Sequence, residues 1–515
     1  MVTEFHPEAV VDLSIEENHR AFEEALAVVR GRFGQHYPLF IEGKELTTDN
    51  KIKSLNPSNP DEVVGVVSAA SPELADRAVR SAHASFGDWA AMSADARAAV
   101  MLRAANIMRR RRFELDAVEV LEAGKSWIEA DADVAEAIDF CDFYAREAIR
   151  YGDRQPLTYL PGEASELVYL PLGVVVVIPP WNFPLAITAG MTVGALAAGN
   201  AVVLKPASPT PVIAWYLLEI LREAGVPDGV LQYCPGSGGL MGDALVGHPL
   251  TRMIAFTGSK EVGLHVNELA AKTAEGQIWI KRIIAEMGGK DFIIVDDEAD
   301  LDAAIQNVAG SAFGFQGQKC SACSRAIIVD GVYDKVVEGV VAKAMAIQVG
   351  SVEDQANTMG PVITESAMNS ILKYIDTGKG EGRLLCGGGR MDRPGYFVEP
   401  TVIADVAPGA VIEQEEIFGP VLACIRARDY DHAIEIANDT EYGLTGAVYS
   451  RNRARLEQGR RELHVGNLYF NRKCTGALVG VHPFGGFNMS GTDSKAGGRD
   501  YLGLFLQAKS VSEAL

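Results

Sequence analysis

GVVVVIPP, at residues 173–180, is an unbroken apolar run that two prolines end. A strand that is buried on both faces of a parallel sheet has this composition, because neither face meets water. Strands that alternate with helices predict a doubly wound parallel sheet, in which ligands bind at the carboxyl ends of the strands. The run is followed by such an alternation: helix 185–198, strand 201–206, helix 211–224, strand 230–234, strand 252–257 and a helix from residue 259 or 260.

The alternation begins again after residue 286. This predicts a second α/β unit, with strands 292–295 and 325–329 and helices 301–316 and 332–347. The chain is therefore expected to contain two α/β units that meet near residue 286.

Helical periodicity dominates upstream of the first strand run. Residues 72–150 are rich in Ala, Glu and Arg and predict two or three long helices, with an interruption at 124–126. Residues 14–32 predict a further amphipathic helix. Three other segments predict β-structure, namely a strand and turn over 37–44, a hairpin over 157–173 and an edge strand over 502–511.

Composition excludes several classes of partner. The 515 residues include 47 Lys or Arg and 68 Asp or Glu, which gives a formal net charge of −21. This acidity argues against nucleic acid and anionic membranes, since both attract basic surfaces. Residues 167–204 carry no charge, but prolines divide the run, so a buried strand–helix–strand unit is expected rather than a membrane span.

The seven cysteines are odd in number and widely scattered. This argues against a disulfide framework and for a reducing compartment. The N-terminus lacks the basic region and apolar core of a signal peptide. A cytoplasmic protein is therefore expected.

A candidate reaction centre lies in two segments, FGFQGQKCSACSR at 313–325 and IAEMGGK at 284–290. The first contains Cys320 and the second contains Glu286. A thiol, a carboxylate and glycines that admit a substrate to the backbone are the parts that covalent chemistry on a carbonyl needs. The alternative interpretations are that Cys320 is an inert buried thiol and that Glu286 is a surface carboxylate. Cys320 and Cys323 also form a C-x-x-C pair, but no second Cys pair or His cluster accompanies it, so no metal is expected.

Both segments, in this order, resemble the active-site signatures of the aldehyde dehydrogenase superfamily, and the resemblance covers essentially the whole chain. It implies that the Cys320 thiolate attacks an aldehyde and that the thiohemiacetal passes a hydride to a nicotinamide. The resulting thioester would then be hydrolysed with Glu286 as general base. Asn182, in PWNFP at 180–184, matches the family's oxyanion-hole side chain, with the Cys320 N–H as its partner.

The resemblance also implies NAD as the cofactor. Lys205 matches a lysine that binds the adenosine ribose, while Ser208 stands where many NAD-preferring members have Glu and leaves some tolerance of NADP open. FTGSKEVG, at 256–263, resembles a strand-to-helix turn that faces the pyrophosphate. Glu416 and Phe418 match residues that hold the nicotinamide ribose and ring. The complete set of expected cofactor-binding residues is Ile178, Pro179, Pro180, Trp181, Lys205, Ser208, Phe256, Thr257, Gly258, Ser259, Val262, Gly288, Glu416 and Phe418.

Two late segments, KCTGALVG at 473–480 and HPFGGF at 482–487, look like those of the 1-pyrroline-5-carboxylate dehydrogenase group within the superfamily. That group oxidises glutamate γ-semialdehyde in proline catabolism. The resemblance implies that Ser321 and the backbone N–H groups of Gly476 and Ala477 hold the substrate's α-carboxylate.

Four further substrate contacts are implied by the same resemblance. Phe183 and Phe484 match aromatic walls along the aliphatic chain, and Glu136 matches an acid near the amino group. Lys319 is expected to lower the pKa of the cysteine, to steer the carboxylate or to form an ion pair away from the site, and the sequence leaves these roles open.

Two other functions stay open for the protein as a whole. One is a dehydrogenase for another carboxylated semialdehyde, such as succinate or aminoadipate semialdehyde. The other is a non-catalytic relative, although this predicts loss of the cysteine or the glutamate.

Domains and partners follow from the resemblance. The expected parts are an N-terminal arm (1–37), an NAD-binding domain (38–156 and 174–285), a catalytic domain (286–485) and a small oligomerisation element (157–173 and 486–515). Because an exposed strand edge needs covering, a homodimer or an assembly of dimers is expected. A flavin-dependent proline dehydrogenase would supply the substrate, and any contact with it would be between separate chains.

Overall fold

The computed structural model describes residues 3–515, and two seven-stranded sheets form its centre. Five parallel strands of the first sheet are extended by two antiparallel ones. In spatial order the strands are Arg282–Glu286, Thr251–Thr257, Val174–Ile178, Ala201–Leu204, Leu231–Tyr233, Leu39–Ile41 and Lys44–Leu46. The parallel sheet predicted from the apolar runs is therefore confirmed, and the fully buried side chains of Val174–Val177 lie at its centre.

The second sheet forms the second α/β unit. Its strands are parallel except for the first, which pairs with its neighbour in the antiparallel direction. In spatial order they are Arg383–Cys386, Thr401–Ala404, Val421–Ala427, Arg325–Val329, Phe292–Val295, Thr445–Tyr449 and Asn467–Phe470. A second unit beginning after residue 286 is thus confirmed.

Residues 72–152 form four helices, where two or three were predicted: Pro72–Ala91, Ala94–Arg110, Arg112–Ala123 and Trp127–Gly152. The break at 124–126 is confirmed, and Gly124 (φ +69°) ends the third helix. A break at Ser93 was missed because apolar periodicity continues across it, although the Ser93 hydroxyl caps the next helix by accepting from the Ala96 N–H at 3.2 Å.

The other helices pack on the two sheets or on neighbouring helices. The α-helices are Glu16–Arg30, Ala186–Ala197, Pro211–Ala224, Leu240–Gly247, Lys260–Ala271, Leu301–Phe313, Tyr333–Met345, Glu365–Glu381, Val411–Gln414, Tyr430–Asn438 and Arg453–Glu462. Short 3₁₀ turns span Asp330–Val332, Asn488–Ser490 and Tyr501–Phe505, and Gly314–Gly317 forms a turn with left-handed backbone. Within residues 3–515 we find no helix that is both long and apolar enough to cross a membrane.

The hairpin predicted over 157–173 is wrong. That region contains a single strand, Glu163–Pro171, whose antiparallel partner is the C-terminal strand Leu506–Ala514. Alternating side chains identified the strand, but they carry no information on which distant segment pairs with it. A third, three-stranded sheet near the N-terminus contains Gln35–Tyr37, Asn59–Ser68 and Lys51–Asn56.

Candidate active site

Cys320 lies on a tightly held loop that follows the helix Leu301–Phe313. Phe315, Gln316 and Gly317 adopt φ values of 47°, 57° and 67°, three successive residues in the left-handed region. A side chain on Gly317 would stand 2.2 Å from the Gly419 carbonyl oxygen, so only glycine fits there. Such strained backbone persists where the surroundings impose it, and it is concentrated at functional sites.

Two glutamine side chains hold this loop in place. The Gln316 amide donates to the carbonyl oxygens of Gly124 (2.9 Å) and Pro361 (2.7 Å). The Gln318 side-chain oxygen accepts from the Ile363 N–H at 2.9 Å. The loop is therefore fixed from both sides before any ligand binds.

The Cys320 thiol is half-buried and lines a cavity of about 390 Å³. Burial, and after it the carboxylates of Asp291, Glu416 and Glu286, raise the pKa of this thiol well above its usual value. The thiolate, which is the nucleophilic form, therefore needs a base or an incoming positive charge to appear at neutral pH.

Glu286 lines the same cavity from the end of the strand Arg282–Glu286. One carboxylate oxygen accepts hydrogen bonds from the Ser494 hydroxyl and N–H. The other oxygen is buried and has no hydrogen-bond partner among residues 3–515. Burial raises the pKa of the Glu286 carboxyl to about 7, which is the range of a general base that works near neutral pH.

Asn182 is buried beside the cysteine loop. Its side-chain amide donates to the Gln318 carbonyl oxygen at 3.1 Å, two residues before Cys320. An amide NH₂ has two hydrogens, so the second is left for another acceptor. The sequence-predicted partners of the oxyanion hole, Asn182 and the Cys320 backbone, are thus placed on adjoining loops.

The cavity brings together the complete set of expected substrate residues. The helix Trp127–Gly152 forms one wall of the cavity, and several loops together with the cysteine segment form the rest. The expected residues on its surface are Glu136, Phe183, Lys319, Ser321, Gly476, Ala477 and Phe484. The cavity therefore joins the candidate nucleophile and base to the segments that the resemblance assigned to substrate binding.

Lys319 is paired within the cavity wall. Its ammonium donates to both carboxylate oxygens of Glu129, at 2.7 and 2.6 Å. Burial acts to raise the pKa of Glu129, but the charge and hydrogen bond of Lys319, together with the charges of Lys125 and Lys473, outweigh it, so the pKa lies below its usual value. Glu136, on the same helix, has no such pair among residues 3–515, and burial raises the pKa of its carboxyl to about 8. A cationic ligand beside this buried carboxyl would stabilise its ionised form.

Sequence reasoning missed several residues of this cavity. Thr475 and Leu478 lie within the segment already singled out, and their position could have been inferred from it. Glu8 and Val10 of the N-terminal arm also line the cavity, and no sequence signal pointed to them.

A buried lysine was missed as well. The Lys125 ammonium lies 4.5 Å from the ring centre of Phe183 and 4.8 Å from that of Phe315, and it pairs with Asp133 at 2.7 Å. It therefore packs against both an aromatic wall of the cavity and the loop that carries Cys320. A lysine at the predicted helix interruption was the only available signal.

The expected cofactor residues follow neighbouring strand ends in the first sheet. Ile178 pairs with Phe256, and Thr257 pairs with Glu286, so these positions share one edge. Pro179 and Pro180 are buried directly after Ile178, and Trp181 is half-buried. The parallel register alone thus gathers these segments beside the candidate base.

Lys205 and the phosphate turn lie at the same edge. Lys205 follows the strand Ala201–Leu204, and burial lowers the pKa of its ammonium. Ser208 is exposed nearby along the chain. Gly258 donates its N–H to the Glu286 carbonyl oxygen, and the Ser259 hydroxyl caps the helix Lys260–Ala271 by accepting from the Val262 N–H at 3.4 Å. A helix N-terminus at this position suits a pyrophosphate.

Glu416 and Phe418 face this edge from the second unit. The Gly289 N–H donates to a Glu416 carboxylate oxygen at 3.1 Å, and a side chain on Gly288 would stand 2.1 Å from the other. Burial raises the pKa of Glu416 to about 7. Phe418 has φ 56°, and its ring meets that of Trp181 edge-on at 5.4 Å. A carboxylate, a lysine and a capped helix start fit the hydroxyl and phosphate groups of a dinucleotide.

Comparison with known proteins agrees with this geometry. The model of the aldehyde dehydrogenase family matches residues 44–511. A 1-pyrroline-5-carboxylate dehydrogenase of Geobacillus sp. (strain WCH70) is 59% identical over 513 residues, which is 100% of each chain. The crystal structure of a 1-pyrroline-5-carboxylate dehydrogenase from Thermus with bound NAD is 51% identical, with a TM-score of 0.98 over 100% of each chain. Proline utilization A from Bdellovibrio bacteriovorus is 45% identical, with a TM-score of 0.98 over 99% of this chain and 53% of that one. The chain belongs to the aldehyde dehydrogenase family.

Proposed function

We propose that this protein is a 1-pyrroline-5-carboxylate dehydrogenase, which oxidises L-glutamate γ-semialdehyde to L-glutamate with NAD. The observation that carries the proposal is the single cavity in which Cys320, Glu286 and the seven expected substrate residues meet. Full-length relatives that carry this activity in their names, one of them crystallised with NAD, support it.

The first step is addition of the Cys320 thiolate to the aldehyde carbon, after the thiol proton has passed to solvent water. The carbonyl oxygen becomes an oxyanion, which the Asn182 amide and the Cys320 N–H stabilise. Asn182 can serve because only one of its two amide hydrogens is donated to the Gln318 carbonyl. The product is a thiohemiacetal on the enzyme.

Bound NAD would supply the acceptor for the hydride of the former aldehyde carbon. The groups proposed to hold it are Lys205, the turn before the helix Lys260–Ala271, and Glu416. Glu416 is oriented by the Gly289 N–H and by the absence of a side chain at Gly288.

Hydrolysis of the resulting thioester is assigned to Glu286. Glu286 lines the cavity, one of its carboxylate oxygens has no hydrogen-bond partner among residues 3–515, and the raised pKa allows the carboxylate to take a proton from water near neutral pH. The water oxygen bonds to the acyl carbon, the Cys320 thiolate leaves, and glutamate is released.

Selectivity for this aldehyde is assigned to the groups that would bind its α-carbon substituents and its methylene chain. The Ser321 hydroxyl and the N–H groups of Gly476 and Ala477 would bind the α-carboxylate, and Glu136 would bind the α-ammonium. Phe183 and Phe484 would flank the chain between the α-carbon and the aldehyde. These residues share the cavity surface with the reacting groups.

The proposal is tested by NADH formation with three aldehydes: glutamate γ-semialdehyde, succinate semialdehyde and pentanal, which has the same number of carbons but no charge. We expect kcat/KM to favour glutamate γ-semialdehyde by about 100-fold or more, the scale that bound polar groups provide. A preference for succinate semialdehyde would assign the cavity to another carboxylated semialdehyde. Equal values would leave an aldehyde dehydrogenase of unassigned substrate.

We also propose the domain division expected above and a homodimer, or an assembly of dimers, formed through the two-stranded sheet of Glu163–Pro171 and Leu506–Ala514. Its support is that this sheet has only two strands and that nearby apolar side chains, including Tyr159 and Leu160, are exposed. Sedimentation of the purified protein tests it, and a monomer at micromolar concentration would refute it.

Supply of the substrate is assigned to a separate flavin-dependent proline dehydrogenase, with no more than a transient contact between the chains. All seven cysteines are free, which supports a reducing location such as the cytoplasm.

A further inference from the structure

Arg472 precedes the carboxylate loop, which we define as residues 473–480. One terminal nitrogen of its guanidinium donates to the carbonyl oxygens of both Thr475 and Gly476, each at 2.9 Å. The two carbonyls therefore face the same side of the loop, toward Arg472.

This contact determines where two N–H groups point. The Thr475 carbonyl shares a peptide unit with the Gly476 N–H, and the Gly476 carbonyl shares one with the Ala477 N–H. In a trans peptide the carbonyl and the N–H lie on opposite sides. Holding both carbonyls toward Arg472 thus turns both N–H groups away from it. Gly476 adopts φ 75°, which brings the two units into this arrangement without strain.

Arg472 is itself held by its surroundings. Its guanidinium lies 4.4 Å from the ring centre of Tyr469, a buried residue on the strand Asn467–Phe470. Cys474, two residues after Arg472, connects the loop to the segment that carries the nucleophile, because its buried thiol donates a hydrogen bond to the Ser321 carbonyl oxygen at 3.4 Å. The loop therefore has a fixed position relative to both the sheet and Ser321.

We propose that Arg472 is a positioning residue for recognition of the substrate's carboxylate, acting through the peptide units of Thr475, Gly476 and Ala477. The inference rests on the proposed function. A guanidinium is needed because its planar nitrogen presents two hydrogens at a fixed angle to two acceptors. A lysine ammonium would keep the charge at a similar place without reproducing that planar geometry.

The competing explanation is simple attraction between a positive charge and the substrate's carboxylate. Arg472→Met and Arg472→Lys separate the two, because only the lysine variant keeps the charge. The matched control is Arg461→Met, at an exposed arginine of the helix Arg453–Glu462. For each variant, kcat and KM are measured with glutamate γ-semialdehyde and with pentanal, together with the inhibition constant of L-glutamate.

We expect both Arg472 variants to raise KM for glutamate γ-semialdehyde and the inhibition constant of L-glutamate by roughly 10-fold, which corresponds to misplaced hydrogen bonds. Values for pentanal, and all values for Arg461→Met, should stay within about twofold of wild type. Wild-type behaviour of Arg472→Lys would show that charge alone acts and would overturn the proposal, as would an equal loss with pentanal.

These outcomes are distinct from failure of the proposed function. If the wild-type protein shows no preference for glutamate γ-semialdehyde over pentanal, the proposed function fails and the role of Arg472 fails with it. If the wild type shows the preference and Arg472→Met retains it in full, only the role of Arg472 is refuted.

Discussion

Most of the residues expected to hold NAD follow the ends of neighbouring parallel strands, whereas those expected to hold the aldehyde come from a helix and several separate loops. Strand register places Ile178, Phe256 and Thr257 at one edge through backbone hydrogen bonds. The cavity instead depends on individual side-chain contacts, such as Lys319 with Glu129. A single substitution should therefore change reaction or substrate without disturbing NAD binding, and the predictions below test that separation.

The largest effect is expected for Cys320→Ala. Without the sulfur no covalent intermediate forms, so NADH production should fall by on the order of 10⁴-fold or more. The dissociation constant for NAD, measured by fluorescence titration, should change little because the substitution does not alter the strand ends that are expected to bind NAD. Cys386→Ala is the matched control, a second half-buried cysteine in the strand Arg383–Cys386. Substantial turnover by Cys320→Ala would contradict the assignment.

Glu286→Gln should lower steady-state turnover by roughly 10²- to 10⁴-fold, because water is no longer activated. Rapid mixing should still reveal a burst of NADH, since the variant retains Cys320. In the wild type, turnover should decline as pH falls through about 7, because the acting form is the ionised carboxylate and its pKa is raised to about 7. This decline of turnover at low pH should be absent from Glu286→Gln. If the decline persists in the variant, it arises from another titrating group.

Gly288→Ala tests the proposed NAD site separately from the aldehyde cavity. The added carbon would stand 2.1 Å from a Glu416 carboxylate oxygen, so the carboxylate must move. We expect KM for NAD to rise by about 10-fold, the scale of one or two lost hydrogen bonds, with a smaller change in KM for the aldehyde. Gly310→Ala is the control, because a side chain there meets open space. Equal effects of the two variants would contradict a close fit at Gly288.

The smallest effect is expected for Ser321→Ala, which removes one of three carboxylate donors. kcat/KM for glutamate γ-semialdehyde should fall by roughly fivefold, corresponding to about 1 kcal/mol for one hydrogen bond. The value for pentanal should not change. Ser324→Ala, whose hydroxyl donates to the Asp291 carbonyl oxygen instead, serves for comparison. A parallel loss with pentanal would mean that Ser321 supports the cysteine loop rather than the carboxylate.

The cofactor half could be predicted from local sequence pattern because its strands are continuous apolar runs. Buried β-branched residues such as those of Val174–Ile178 occupy both faces of the sheet, and the prolines after them mark the strand end. Parallel order then brings those ends together without further information. The fifth parallel strand, Arg282–Glu286, was not recognised because it carries charged residues at both ends.

The substrate half could be anticipated only through motif resemblance. Nothing in the helix periodicity distinguishes Glu136 or Glu129 from solvated acids, and Glu8 lies far away along the chain. The resemblance grouped residues 157–173 with the C-terminal strand, but the local pattern did not show that the two segments pair, since they lie more than 300 residues apart. Contacts between distant segments depend on the complete fold, and a local pattern does not encode them.

Covalent catalysis by Cys320 is tested most directly by trapping the acyl group on the enzyme. Glu286→Gln is mixed with NAD and glutamate γ-semialdehyde, quenched in acid during the NADH burst, digested and analysed by mass spectrometry. We expect a glutamyl thioester on the peptide that contains Cys320, in an amount equal to the NADH formed. NADH formation without an adduct, or with the adduct on another cysteine, would contradict covalent catalysis by Cys320.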